Sequence, residues 1–300
     1  MAEYIIETNN LSRSFGSKKA CDQVNLHVKK GDIYGFIGKN GAGKTTAMKL
    51  ILGMLDPNEG EVYLFGSKNN LNENRKKIGS LIEIPALYLG CSALENMRRF
   101  AMLFGGNEEE IHELLNLVGL ANTGSKKAKQ FSLGMKQRLG IAIAMLGNPE
   151  VLILDEPVNG LDPAGIKEIR DTILKLNREK GVTFLISSHL LDELAKITTT
   201  YGIINNGKLI EEIDAETLKA RCEGNVRIRV SDVDKALHVL KDHNLLGRYT
   251  RENDTTFSLF DHFDKASEIN TILVKNNLEV YEVTPVSSGF EDYFIERLGR

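Results

Sequence analysis

The segment most able to do chemistry is a glycine-rich loop that begins at Gly38 and ends in Lys44 and Thr45. Its pattern, G-x-x-x-x-G-K-[ST], lies between a predicted strand, Ile33–Ile37, and a predicted helix, Lys44–Met54. Small residues let backbone N–H groups turn toward phosphates, and a helix N-terminus adds a positive dipole end. The lysine can contact the β- and γ-phosphates, and the threonine hydroxyl can bind Mg²⁺. A glycine-rich turn could match by chance, but the strand–loop–helix context favours a nucleoside triphosphate site.

Two acidic residues, Asp155 and Glu156, follow the apolar run Val151–Leu154. Such a run is typical of a central strand in a parallel sheet. At the carboxyl end of that strand, Asp155 would hold Mg²⁺, and Glu156 could orient or deprotonate an attacking water. An exposed acidic turn gives the same short pattern, but a phosphate loop of this kind needs an acid on a neighbouring strand. We therefore predict that hydrolysis takes place beside these two acids.

A histidine, His189, follows a second apolar run, Thr183–Ser187. If that run is a neighbouring parallel strand, His189 lies at the same edge of the sheet, within reach of a γ-phosphate. A lone histidine is more often structural than catalytic, but this neighbourhood favours a catalytic role.

The elements that must position these residues alternate between strand and helix, which predicts a mostly parallel sheet with helices on its faces. The N-terminal residues alternate apolar and polar positions, as short strands do. The predicted early strands are Tyr4–Glu7 and Val24–Val28. The further predicted helices are Leu94–Phe104, Glu108–Val118, Gly134–Leu146 and Ala164–Lys180.

The order of predicted strands and helices changes after Asp214, which predicts two domains, residues 1–214 and 215–300. The second has a βαββαβ order, the ferredoxin-like plan of a small α+β domain, and a closing helix. Its predicted elements are Asn225–Val230, Val233–His243, Gly247–Arg251, Thr255–Phe260, Lys265–Asn276, Leu278–Val283 and Glu291–Leu298.

Composition excludes several function classes. The 300 residues carry a formal charge of −3, which argues against a general nucleic-acid binder. The three cysteines lie far apart, as expected of reduced cytosolic thiols and not of a disulfide framework or a zinc site. The N-terminus meets polar and acidic residues at once, unlike a signal peptide. No run of 18 apolar residues lacks a charge, so a membrane role would require another chain to span the bilayer.

Taken in order, these motifs resemble the ABC transporter ATPase family over roughly residues 3–214. Phe15 resembles the aromatic residue that stacks on adenine, and Ser132 with Gly134 falls where the family carries its LSGGQ signature. Asp162 resembles part of the D-loop, and His189 resembles the switch histidine. The resemblance implies an α/β P-loop NTPase cassette, with a mostly parallel core sheet, antiparallel N-terminal strands and a helical subdomain at about residues 85–148.

The resemblance also implies the residues of the site. The nucleotide contacts would be Phe15, Gly38, Lys39, Asn40, Gly41, Ala42, Gly43, Lys44, Thr45, Thr46, Ser132, Gly134 and Asp162. The catalytic residues would be Glu156, His189 and Lys44, and the Mg²⁺ ligands Thr45, Asp155 and Glu83. The signature segment would read the γ-phosphate of ATP on an opposite subunit, so ATP should join two cassettes.

Two departures from the family pattern stand out. Leu133 and Met135 replace a glycine and the glutamine of LSGGQ, so only Ser132 and Gly134 carry over from that motif. Glu83 stands where the family has the Q-loop glutamine, and a carboxylate there can still bind a hard cation. The alternative is that Glu83 is an unrelated surface acid.

Three features resemble the bacitracin and lantibiotic export branch of the family. They are the glutamate at position 83, the segment Ser187–Glu193 and the C-terminal segment Phe290–Phe294. That resemblance implies an ATP-hydrolysing subunit with ATP and Mg²⁺ as cofactors. It would energise export of a peptide antibiotic or similar amphiphile through a separate polytopic membrane subunit. A cytoplasmic position on the inner face of the membrane and no nucleic-acid partner are expected. The second ATPase subunit would be another copy of this chain or a sister cassette, and a homodimer is favoured. The open alternatives are another cargo, a soluble cassette protein without a membrane partner, and a nucleotide sensor that does not hydrolyse.

Overall fold

The computed structural model describes residues 4–222, 224–286 and 289–298. The chain divides into two compact units. The first ends at Ala215 and takes in the end of the last helix from Arg297, and the second is Glu216–Glu296.

The strands of the first unit are β1 (Tyr4–Phe15), β2 (Lys18–Val24), β3 (His27–Lys29), β4 (Ile33–Ile37), β5 (Glu59–Leu64), β6 (Ile78–Leu81), β7 (Val151–Asp155), β8 (Thr183–Ser188), β9 (Thr200–Asn205) and β10 (Lys208–Asp214). Its helices are α1 (Lys44–Ile51), α2 (Leu71–Arg75), α3 (Ala93–Phe104), α4 (Glu108–Leu117), α5 (Leu133–Ala144), α6 (Pro163–Lys180) and α7 (Leu191–Ala195).

The central sheet has six strands in the order β10-β9-β4-β8-β7-β6. The pairs among β9, β4, β8, β7 and β6 are parallel, and β10 joins β9 antiparallel. Every residue of β4, β7 and β8 is buried, as expected of strands covered on both faces. The predicted mostly parallel core is confirmed. Because parallel strands end at one edge, the loops after β4, β7 and β8 meet there.

An antiparallel sheet precedes this core, in which β1 pairs with β2, β3 and β5. The prediction of a single strand Val24–Val28 is wrong, because β2 ends at Val24 and β3 begins at His27. The Thr8 hydroxyl explains the break. It donates to the Val24 carbonyl oxygen and accepts from Leu26 N–H, both at 2.9 Å. These two backbone groups therefore bond to a side chain.

A group of helices, α3 to α5, lies between β6 and β7 in the chain and packs together. Ser92 caps α3 and Asn107 caps α4, each accepting from a backbone N–H in the first turn. The buried side chains of α5 and α4 are mainly aliphatic, including Leu139 and Leu114. No helix of the described residues is long and apolar enough to cross a membrane.

The elements that follow β10 are α8 (Ala215–Arg221), β11 (Asn225–Val230), α9 (Val233–Asp242), β12 (Tyr249–Arg251), β13 (Thr256–Leu259), α10 (Ala266–Lys275), β14 (Val280–Val286) and α11 (Phe290–Leu298). All but the first residue of α8 and the end of α11 belong to the second unit. The antiparallel sheet has the order β12-β13-β11-β14, which is the ferredoxin-like arrangement. Val226, Ile228 and Val230 alternate along β11 and form the core with α9 and α10.

Candidate active site

The phosphate loop connects the end of β4 to the start of α1, and neighbouring backbone holds it closely. A side-chain carbon at Gly43, whose φ is +113°, would strike the carbonyl oxygen of Ala20. A side-chain carbon at Gly38 would strike the carbonyl oxygen of Ile204. Only glycine fits both places without moving the chain. Gly43, the residue before α1, has no side chain to cap the first turn, so the N–H groups there can bond to an anion.

Below the loop, the thiol of Cys21 lies 3.7 Å from the carbonyl oxygen of Gly43. Burial raises the pKa of the Cys21 thiol to about 12, so it stays protonated. Cys21 therefore supports the loop as a small buried group and not as a nucleophile.

Lys44 is buried, and its ammonium lies across the loop. Nζ donates to the carbonyl oxygens of Gly38 at 2.6 Å and Lys39 at 3.4 Å. It also lies 3.1 Å from Oε1 of Glu156. The cation is thus held between the loop backbone and one of the two predicted acids, where a bound phosphate would meet it.

Asp155 is the last residue of β7, and both its carboxylate oxygens are occupied. Thr45 Oγ1 donates to Oδ2 at 2.8 Å, and Ser187 Oγ donates to Oδ1 at 2.6 Å. Ser187 is not among the predicted site residues. The signal was available, because Ser187 begins the polar end of an apolar run just as Asp155 does. What places them side by side is the parallel register of β7 and β8.

Glu156 has a left-handed backbone conformation, with φ of +49°, which is uncommon for a residue with a side chain. Its Oε2 lies 2.8 Å from Nδ1 of His189, so the structure brings these two predicted catalytic residues together. Its Oε1 is buried and faces the Lys44 ammonium, 3.1 Å away, with no other hydrogen-bond partner among the described residues. A carboxylate oxygen can accept more than one hydrogen bond, so Oε1 can also bind a water or ligand from outside the chain.

A cleft of about 300 Å³ opens over the loop. It is lined by Phe15, Lys18, Ala20, Asn40, Gly41, Gly43, Lys44, Thr45, Thr46 and Glu156. Phe15 is the last residue of β1 and is 49% exposed, and the Arg13 guanidinium lies 5.1 Å from the centre of its ring. An exposed ring at the mouth of a phosphate cradle can stack on a nucleobase.

The predicted Mg²⁺ ligands separate into two places. Thr45 and Asp155 are hydrogen-bonded to each other beside the loop and offer the hard oxygen atoms that Mg²⁺ prefers. Glu83 instead accepts from Lys49 Nζ at 2.6 Å, with its side chain 63% exposed. Within residues 4–222, 224–286 and 289–298, no three His, Cys, Asp or Glu side chains gather as a metal group. A cation here would therefore need oxygen atoms from a bound phosphate as well.

The predicted signature and D-loop residues lie outside the lining of this cleft. Ser132 caps α5 by accepting from Met135 N–H at 3.2 Å, and Asp162 caps α6 by accepting from Gly165 N–H at 3.0 Å. Gly134 lies next to the start of α6, because a side-chain carbon there would be 3.8 Å from the Gly165 Cα. Ser132 and Asp162 are exposed, so both helix starts are open to solvent.

Known proteins are similar to this chain over most of its length. The family model described as ABC transporter matches residues 21–159. The bacitracin transport ATP-binding protein BcrA of Bacillus licheniformis is 41% identical over 98% of this chain and 97% of its own length. The lantibiotic transport ATP-binding protein SrtF of Streptococcus pyogenes is 44% identical over 69% of this chain and 90% of its own length.

Solved structures are also similar to this chain over about seven tenths of its length. The dimeric structure of a bacterial ABC transporter cassette is 28% identical, with a TM-score of 0.63 over 70% of this chain and 98% of that one. The ADP conformation of another cassette is 26% identical, with a TM-score of 0.65 over 72% and 95%.

Proposed function

This chain belongs to the family of ABC transporter ATP-binding proteins, and we propose that it powers export of a peptide antibiotic or a similar amphiphile. It is an ATPase of that family. The cargo proposal is supported by similarity to bacitracin and lantibiotic transport proteins, which in the bacitracin case extends through the second unit. The observation that carries the catalytic proposal is the meeting of Lys44, Asp155, Glu156 and His189 at one phosphate loop.

The nucleotide would be held by the chain's backbone and by one cation. The free N–H groups at the start of α1 and the Lys44 ammonium would bind the phosphates, and Phe15 would stack on the base. Loop residues Gly38 to Thr46 would wrap the phosphates. Thr45 and Asp155 would hold Mg²⁺, which supplies charge neutralisation at the phosphate oxygens.

Glu156 would act as the base or the orienting group for the attacking water. Its buried Oε1 is paired with the Lys44 ammonium and can also accept a proton or a hydrogen bond from water. His189 bonded to Oε2 keeps the carboxylate turned in one direction. Positioning of this kind, together with the Lys44 charge, supplies most of the catalysis that a phosphoryl transfer needs.

A second cassette would complete the enclosure of the nucleotide. Ser132, Gly134 and Asp162 lie at helix starts outside the cleft, where they can face the phosphate loop of another copy. We therefore propose a homodimer with nucleotide at the interface.

The membrane partner would be a polytopic permease subunit, with this chain on the cytoplasmic face of the membrane. The segment after β6 exposes apolar side chains, with Ile84 82%, Tyr88 47% and Leu89 51% exposed. Because Glu83 precedes these residues and pairs with α1 through Lys49, the segment could link the nucleotide site to a helix of the permease. Residues 215–300 would form an accessory domain with a regulatory or structural role.

The decisive variant for hydrolysis is Glu156→Gln. It should lower phosphate release by at least about a hundredfold, since general base groups contribute about 10² to 10⁴ in rate. ATP binding should persist, and size-exclusion runs with ATP should show a trapped dimer. Glu150→Gln is the matched control, because Glu150 lies at the other end of β7 and pairs with Lys30 at the surface. A Glu156→Gln protein with normal phosphate release, or one that stays monomeric with ATP, would contradict the proposal.

The cargo is tested in cells of the source organism. Deletion of the gene should raise sensitivity to bacitracin or a lantibiotic, restored by the natural chain and not by Glu156→Gln. Sensitivity to an antibiotic that is not a peptide should stay the same. Unchanged sensitivity to peptide antibiotics would point to a different cargo and leave the ATPase assignment standing.

A further inference from the structure

One buried side chain, Ser187, contacts both acids of the proposed hydrolytic site. It lies near the carboxyl end of β8, directly opposite Asp155 of β7 in the parallel register. Its side chain is fully buried. Ser187 Oγ donates to Oδ1 of Asp155 at 2.6 Å and accepts from the N–H of Glu156 at 2.9 Å.

The direction of these two bonds is settled by chemistry. A serine hydroxyl has one proton and two lone pairs, and a backbone N–H can only donate. Because Glu156 N–H donates to the hydroxyl, the single proton of Ser187 is directed to Asp155. The same hydroxyl therefore fixes the side chain of one acid and the backbone of the other.

Each acid needs this support for a different reason. Asp155 is buried, and with Oδ1 bonded to Ser187 its Oδ2 remains turned toward Thr45. Glu156 holds a left-handed φ of +49°, which a residue with a side chain keeps only when surrounding contacts favour it. A bond to its N–H is one such contact, and it helps to direct the carboxylate toward Lys44 and His189.

We propose that Ser187 is a positioning residue that holds Asp155 and Glu156 in register with each other. The proposal rests on the proposed function, in which Asp155 binds the cation and Glu156 acts on water. Ser187 touches neither water nor phosphate in this role. Ser187 acts through the two acids. Its loss should therefore lower kcat and the effect of Mg²⁺ more than it lowers the affinity for nucleotide alone.

The alternative is an ordinary buried serine whose loss only weakens the sheet. The same strand offers a matched control. Thr183, at the opposite end of β8, is also buried, and its hydroxyl accepts from the N–H of Gly31 at 2.9 Å. Thr183→Val removes a buried hydroxyl that serves a backbone N–H but touches no acid.

The test compares Ser187→Ala, Ser187→Thr and Thr183→Val in the full chain. Ser187→Ala should lower kcat by about tenfold to a hundredfold with little change in KM, as loss of a supporting bond to a metal ligand does. Nucleotide affinity measured in EDTA should stay unchanged, while the gain in affinity on adding Mg²⁺ should shrink. Ser187→Thr, which keeps the hydroxyl, should restore both. Thr183→Val should lower the unfolding temperature and leave kcat and the Mg²⁺ effect intact.

Three results would overturn the proposal. One is a Ser187→Ala protein with normal kcat and a normal Mg²⁺ effect. Another is a Thr183→Val protein with the same kinetic loss, which would make the effect one of sheet stability. If Ser187→Ala does not fold, Ser187→Cys supplies the comparison, because a thiol packs similarly and bonds weakly, and full activity there would be the third.

Glu156→Gln separates this proposal from the one on which it rests. An inactive Glu156→Gln beside a fully active Ser187→Ala overturns only the role of Ser187. A fully active Glu156→Gln overturns the hydrolytic assignment and the role of Ser187 with it.

Discussion

The catalytic edge of the first unit and the core of the second unit use burial in opposite ways. At the catalytic edge, charged and polar groups are buried beside one another, among them Lys44, Asp155 and Ser187. In the second unit the buried cluster of β11, β13, α9 and α10 is made of apolar side chains such as Ile228 and Phe257. Buried charges are costly unless they are paired, so their concentration at one edge indicates selection for chemistry, while the apolar cluster serves stability.

The ion pairs show the same contrast. Lys44 and Glu156 are 6% and 19% exposed, whereas Arg227 and Glu252 of the second unit are 48% and 35% exposed. Breaking a buried pair from one side costs about 3–5 kcal/mol, and an exposed pair contributes about 0–1 kcal/mol. Substitutions in the buried pair of the first unit should therefore affect function strongly. Substitutions in the exposed pair of the second unit should affect it little.

The largest effect is expected from Lys44→Ala. It removes the cation that faces the phosphates and leaves Glu156 without its charge partner. Truncating a buried charge contact costs about 2–5 kcal/mol, so ATP affinity in calorimetry should fall at least about thirtyfold. Lys30→Ala, at the exposed pair with Glu150, is the control and should bind normally. Retained affinity in Lys44→Ala would remove this residue from the site.

The converse substitution is Ile228→Ala in the second unit. Ile228 is fully buried, and loss of such a side chain costs about 2–5 kcal/mol of stability. Thermal unfolding or hydrogen exchange of β11 and β13 should report it, while ATP affinity stays the same. Arg227→Ala, next to it on the exposed side of β11, should change stability by less than about 1 kcal/mol. A loss of ATP affinity in Ile228→Ala would break the contrast between the two regions.

A smaller effect on the ATPase rate is expected from Glu83→Ala. This variant tests whether Glu83 belongs to the catalytic edge of the first unit. If Glu83 takes part in hydrolysis or coupling, Glu83→Ala should lower the ATPase rate by about tenfold without loss of stability, because its pair with Lys49 is exposed. Lys49→Ala removes the same ion pair but leaves the carboxylate and should keep most of the rate. Unchanged ATPase and transport in Glu83→Ala would make Glu83 a surface acid.

The smallest effect concerns stability against pH at the start of α3. The Ser92 N–H and the Lys127 ammonium hold the pKa of Glu95 at about 2, below its ordinary value of 4.5. A depressed pKa stabilises the fold above the ordinary value, and this contribution is lost as pH falls from 4.5 toward 2. Glu95→Gln should therefore be less stable than the natural chain at neutral pH. The difference in stability between the two proteins should disappear as pH falls from 4.5 toward 2. Glu179→Gln, at an exposed position in the last turn of α6, is the control. Its difference in unfolding temperature from the natural chain should not change over this pH range.

Much of this molecule follows from patterns that are local in the sequence. The phosphate loop from Gly38 to Thr45 is one continuous segment, so its residue types alone identify it. The apolar runs that become β7 and β8 are long enough to require burial on both faces, which predicts a parallel sheet and places Asp155 and His189 at one edge. The βαββαβ order of the second unit followed from periodicity in the same way.

Only the tertiary structure decided contacts between segments far apart in the chain. The sharing of Ser187 by two acids depends on the register of β7 against β8, and a shift of one residue would turn Ser187 to the other face. The pairing of Glu83 with Lys49 depends on where the segment after β6 lies relative to α1. The break after Val24 depends on a hydroxyl from Thr8, which lies 16 positions earlier in the chain. Local sequence specifies conformation and burial, but which polar groups meet is decided by packing across the sheet.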